Sequence, residues 1–261
     1  MKLAYKSKKW NKEISELNNA KKMYNGDYEI SVKSLIYNFS ETDFKDYCWF
    51  YGCLDINYGI VARTYFLDND NKNVINNIYL SALSLLFLKR LYDNGVRTEY
   101  NNIQISLTGF EYAVCKLISV DCGEIMINFC NDSIVANLLL GNEIEAKVLV
   151  DELSDDSDSI SSVYYNEPIF LKAIYKSILD RDENAFNENL AQRIKKYRKN
   201  MVGYSTIIDY TSIALIKVAK KYGLNCNINV IEIPDFFFEP INTEELLKLQ
   251  LPFYDEVKKL L

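Results

Sequence analysis

Apolar residues recur three and four apart along most of this chain, the spacing that lays one helix face against a core. Trp10, Ile14, Leu17 and Tyr24 follow it until Asn25-Gly26 stops the run. Tyr28, Val32, Leu35, Ile36 and Phe39 mark a second short helix. A third, capped from within 40–43, carries an aromatic-rich face of Phe44, Tyr47, Tyr51, Leu54, Tyr58, Val61 and Tyr65. A polar loop at 68–73 separates it from a helix at 77–93 that is apolar on nearly every side, which predicts a place surrounded by other helices. Ile103, Ile105 and Leu107 alternate with Gln104 and Ser106, as in a short strand or an extended connection. Thr108-Gly109-Phe110-Glu111 matches a capping box, with the Thr oxygen accepting at the helix start and the Glu reaching back. Asp132-Ser133 caps the next helix, and Ile144, Val148 and Leu149 carry the helical pattern on to Leu153.

Asn166-Glu167-Pro168 is a start signal, with Pro in the first turn. Leu171, Ile174, Tyr175 and Ile178 run out, a turn at 180–182 follows, and Phe186, Leu190, Ile194 and Tyr197 return, which makes an αα-hairpin. The clearest helix spans 204–222, with Lys217, Lys220 and Lys221 near its C-terminus, where they complement the helix dipole, and Gly223 beyond it. Residues 228–234 are extended, and Asn242-Thr243 caps a last short helix. These elements predict an all-α protein, either a helical bundle or an irregular α-solenoid built from αα-hairpins, with short extended segments. No repeat of fixed period and no linker rich in Pro, Gly or Ser interrupts 1–261, so a single helical unit is expected. The acidic run 154–159 is the one candidate division, between a bundle of 1–153 and hairpins of 160–261.

Composition narrows the chemistry. His is absent, which removes Ser–His and Cys–His nucleophile pairs and His-containing zinc sites. Cys48, Cys53, Cys115, Cys122, Cys130 and Cys226 form no C-x-x-C pair and sit among apolar neighbours, as buried free thiols do in a reducing compartment. There is no phosphate loop or dinucleotide fingerprint. Asp68-Asn69-Asp70-Asn71 opens like a calcium loop, but the Gly and Glu that loop needs are replaced by Asn73 and Tyr79. No metal, cofactor or enzymatic activity is therefore expected. The net charge is −6, and the densest basic stretch, Arg193, Lys195, Lys196, Arg198 and Lys199, follows four acidic residues, so nucleic acid is not expected as a partner. An acidic protein matches a basic partner instead. Asp155, Asp156 and Asp158 are the expected contact residues. Met1 to Trp10 is basic with no apolar run behind it, and the most apolar stretch, Ile78 to Leu88, is shorter than the about 20 residues a bilayer requires. A cytoplasmic location away from the membrane is expected.

The stretch from Asp209 through Ala214, Leu215, Ala219, Lys220 and Lys221 to Gly223-Leu224 resembles the C-terminal signature of immunity family 49 of bacterial polymorphic toxin systems, in which an extended segment and a Pro follow. Ile233-Pro234 supplies the Pro here, and the hairpin with Asn184-Ala185-Phe186 and Leu190 to Tyr197 is also similar to the family's pattern. The resemblance covers roughly the last 100 residues. It implies a non-enzymatic protein that binds a cognate toxin domain and prevents self-intoxication. Met201-Val202-Gly203-Tyr204 is similar to a second immunity family that guards against nuclease toxins, without that family's aromatic and acidic continuation. The alternative function is a helical scaffold or regulator that binds another cytoplasmic protein or a peptide.

Overall fold

The computed structural model describes residues 8–23, 27–42, 45–96, 107–127, 132–153, 168–200 and 207–260. Among them the chain forms thirteen α-helices and no strand, so the all-α expectation holds. It divides into two compact units: Ser106–Ile241, and Lys8–Ile105 with Asn242–Leu261. The division therefore falls elsewhere than at 153/160. Helices on either side of the acidic run belong to one unit, and the last twenty residues pack with the N-terminal helices.

The N-terminal unit holds α1 (Lys8–Met23), α2 (Ile30–Ser40), α3 (Tyr47–Leu67) and α4 (Asn71–Asp93). Its main contact is the α3–α4 hairpin. Asp46 caps α3 by accepting from the Trp49 amide at 2.9 Å, so the cap lies beyond the 40–43 stretch that the sequence favoured. Asp70 caps α4 by accepting from the Asn73 amide at 3.2 Å, which draws half of the expected polar loop into helix. At 23 residues α4 is long and apolar enough to cross a membrane by length and composition, and 67% of its apolar window is buried inside the protein. Asp68, from the calcium-like sequence, accepts from Tyr28 and Lys21. The short helices α12 (Thr243–Leu246) and α13 (Tyr254–Lys258) complete the unit. Here Phe253 meets Phe39 and Phe50 with all three ring centroids within 5.3 Å of one another. The Tyr51 hydroxyl donates to the Pro252 carbonyl at 2.9 Å.

The other unit holds α5 (Leu107–Ser119), α6 (Gly123–Met126), α7 (Ile134–Leu140), α8 (Glu143–Glu152), α9 (Pro168–Leu179), α10 (Glu183–Asn200) and α11 (Tyr210–Lys221). A 3-10 turn, Asp235–Phe238, follows. Helix α11 packs on α5 at the centre and buries Ile213, Leu215, Ile216 and Val218, each burial contributing about 1.5–3 kcal/mol. The expected α9–α10 hairpin is present, turned by Asp182, which accepts from the Ala185 amide. Helix α11 starts six residues later than expected, at the Asp209 cap. The pattern that ran unbroken toward Leu153 is divided by Gly141 in the left-handed region at φ 79°, where α7 ends. The alternating 103–106 segment lies outside the described residues.

Candidate functional site

Ionisable groups meet at the centre of the unit built on α5 and α11. Arg193 on α10 is 1% exposed, and its Nη1 donates to Asp209 Oδ2 at 2.6 Å and to Ser212 Oγ at 2.5 Å. The Asp209 carboxylate also accepts from the Ser212 amide at 3.0 Å, so one side chain caps α11 and pairs with the arginine. Nearby, Glu111 on α5 accepts from the Val135 amide and from the Tyr175 hydroxyl, both at 2.9 Å. Burial raises the Glu111 carboxyl above its usual range, against the pull of those hydrogen bonds. Burial, and then the Glu111 charge, push Tyr175 and Cys115 well above their ordinary values, so the Cys115 thiol stays protonated. The sequence placed Glu111 in a capping box. Here α5 begins before Thr108, and Glu111 instead ties three helices together.

Arg193, Asp209, Ser212, Cys115 and Tyr175 are each at most 2% exposed, and Glu111 is half-buried at the margin of the centre. The five described cysteines are free thiols, as expected, and Cys130 lies outside the described residues. No group of three His, Cys, Asp or Glu suited to a metal occurs among the described residues. The basic stretch of the sequence is also split. Arg193 points into the core, while Lys195 stays exposed.

Two features of this unit face outward. The first is α8. Ala146 and Val150 turn inward, while Ile144 is 77% and Val148 54% exposed. One turn apart, they share a face with exposed Asp151, flanked by exposed Glu145 and Glu152 on one side and Lys147 on the other. The sequence counted Ile144 and Val148 with the apolar helical positions. The amphipathic assignment is rotated because the small Ala146 and Val150 fit close against the neighbouring helices. Asp155, Asp156 and Asp158, the expected contact residues, lie outside the described residues just after α8.

The second feature is a cleft of about 440 Å³ between the C-terminal turns of α11, the start of α6 and the 3-10 turn. Ile118, Leu139 and Phe237 give it an apolar lining. Lys217 donates to the Ser119 carbonyl at 2.8 Å and to Asp121 Oδ1 at 2.5 Å, and burial lowers the ammonium below its ordinary value. Asp121 presents that carboxylate from the left-handed region, at φ 60°, which Asp tolerates better than most residues. Lys221 pairs with Glu124 at 2.5 Å. Lys220 has no carboxylate within ion-pair distance among the described residues, and its ammonium lies 4.4 Å from the Phe238 ring centroid.

Fold and surface together define an all-α protein with a buried Arg193–Asp209–Ser212 cluster and an acidic outer helix. No family model, curated protein or solved structure matches the chain.

Proposed function

We propose that this chain is a non-enzymatic immunity protein that binds and neutralises a basic cognate toxin domain in the cytoplasm. The observation that carries the reading is the outer face of α8, where two aliphatic side chains stand in solvent beside Glu145, Asp151 and Glu152. Exposed apolar groups flanked by three carboxylates and a single cation, Lys147, suit a protein interface, in which the apolar pair supplies contact energy and the excess of carboxylates steers a basic partner. Asp155, Asp156 and Asp158 follow α8 in the sequence and continue its acidic character. The net charge of −6 and the resemblance of the C-terminal segment to immunity family 49 point the same way.

The test is association with the toxin domain encoded next to this protein's gene. The wild-type chain is expected to co-purify with that domain and to abolish its toxicity. The double substitution Ile144→Ser with Val148→Ser removes apolar contact and is expected to weaken affinity at least about tenfold, mainly through faster dissociation. Reversing Asp155, Asp156 and Asp158 to Lys is expected to slow association and flatten its salt dependence. Failure to co-purify overturns the reading, and unchanged affinity in both variants overturns the site. A scaffold that binds a helical peptide is the second reading, favoured by the outward Trp49 and Ile56, 39% and 55% exposed on one face of α3.

A further inference from the structure

We propose that the cleft beside the C-terminus of α11 is a binding site for a small organic monoanion with a flat apolar body, the chemistry of an aryl carboxylate. The inference does not depend on the immunity reading, because it concerns a different surface and a different class of ligand.

Size is the first argument. A volume of about 440 Å³ falls within the roughly 300–1,000 Å³ of small-molecule sites. The lining is the second. Ile118, Leu139 and Phe237, each at most 8% exposed, form a packed apolar floor, and the part-exposed Phe238 ring at its edge presents the apolar surface that a flat group can cover.

Charge is the third argument, and it sets the sign of the ligand. The cleft has three ammonium groups and two carboxylates. Asp121 is taken by Lys217 at 2.5 Å, and Glu124 by Lys221 at 2.5 Å. Those two pairs cancel, which leaves the Lys220 ammonium as the surplus charge. Complementing the helix dipole accounts for a lysine near this helix end. It does not account for this one lying against the Phe238 ring at the edge of an apolar cleft. A carboxylate placed at Lys220 forms a charge-assisted hydrogen bond, while the ring to which it is attached covers the apolar lining. A cation meets the surplus charge and is disfavoured. A neutral molecule of the same shape leaves the ammonium without a partner.

The experiment titrates the full-length ¹⁵N-labelled protein with 2-naphthoate and, separately, with the uncharged naphthalene-2-methanol. Naphthoate is expected to shift the amide signals of residues 217–221 and 237–238 saturably, with a Kd of about 1 mM, the range that ligand efficiency gives for a molecule of this size. The alcohol is expected to bind at least about fivefold more weakly. Lys220→Glu is expected to weaken naphthoate about tenfold, and Lys220→Met by a smaller factor in the same direction. Lys176→Glu, the same charge change on an exposed position of α9, is expected to leave binding unchanged. Lys220 is exposed, so its variants keep the fold, and the unshifted remainder of the amide spectrum checks this. Non-saturating shifts, equal binding of the alcohol, or unchanged binding in both Lys220 variants each overturn the site.

Discussion

Arg193 is charged at every pH the protein meets, and it lies inside the core. Its stability there depends on Asp209 and Ser212, and removing one partner leaves the other buried and uncompensated. Arg193→Met is therefore expected to destabilise the protein by about 3–5 kcal/mol, read from the urea unfolding midpoint. Glu111 acts with pH. Its folded pKa is raised by burial, so its contribution to stability is full below the unfolded carboxyl pKa and is lost as pH rises through the folded value. Glu111→Gln removes that dependence. Relative to wild type, the variant is expected to gain stability as pH rises from about 4.5 toward neutrality. Paired unfolding curves at the two ends of that range check it, and a parallel pH profile would contradict the assignment. Neither residue announced its role in sequence. Arg193 stood in a basic run and Glu111 in a capping pattern, because the partners of both lie on other helices.

At the scale of elements, hydrophobic spacing located nearly every helix, and the errors cluster at their ends. Asp46, Asp70 and Asp209 each cap a helix at a position the sequence pattern placed differently, since several polar residues precede each apolar run and only packing selects among them. Two glycines decide how α6, α7 and α8 connect. A methyl group on Gly123 would come within 2.7 Å of both Ile118 Cγ1 and Leu139 Cδ2, so α6 packs there only without a side chain. Gly123→Ala is expected to cost about 1–3 kcal/mol through overpacking. Gly141 meets nothing nearby but holds φ 79°. Gly141→Ala is expected to cost about 1–2 kcal/mol through backbone strain alone. Thermal melts in a double-mutant cycle separate the mechanisms, because an additional Leu139→Ala change should relieve part of the first cost, the Ile118 contact remaining, and none of the second.

On the scale of the whole molecule, the chain returns to its beginning. Phe253 packs with Phe39 and Phe50, Tyr51 donates to Pro252, and the Phe87 and Tyr254 rings meet at 5.4 Å. Phe253 holds a left-handed φ of 59°, a conformation costly for a bulky residue and maintained here by ring packing on several sides. Removal of residues 242–261 is expected to expose this aromatic cluster. Amide exchange in α3 and α4 should then accelerate, which hydrogen-exchange mass spectrometry can localise. Unchanged protection there would mean that the N-terminal helices hold without the tail.

The sequence by itself determined the class of fold, most of the helices, the αα-hairpin of α9 and α10, and the absence of histidine chemistry. These depend on local periodicity, turn residues and composition, which a linear reading can see. Tertiary structure alone decided which face of α8 is turned out, that Arg193 is buried, that Glu111 joins three helices, and that Lys220 is the surplus charge in its cleft. Each of those depends on residues far apart in the chain, whose separations are set by packing and not by spacing. The same reason explains why the division into units escaped the linear reading. The break follows contacts between the two ends of the chain, whereas the acidic run at 154–159 interrupts the sequence without separating what packs on either side.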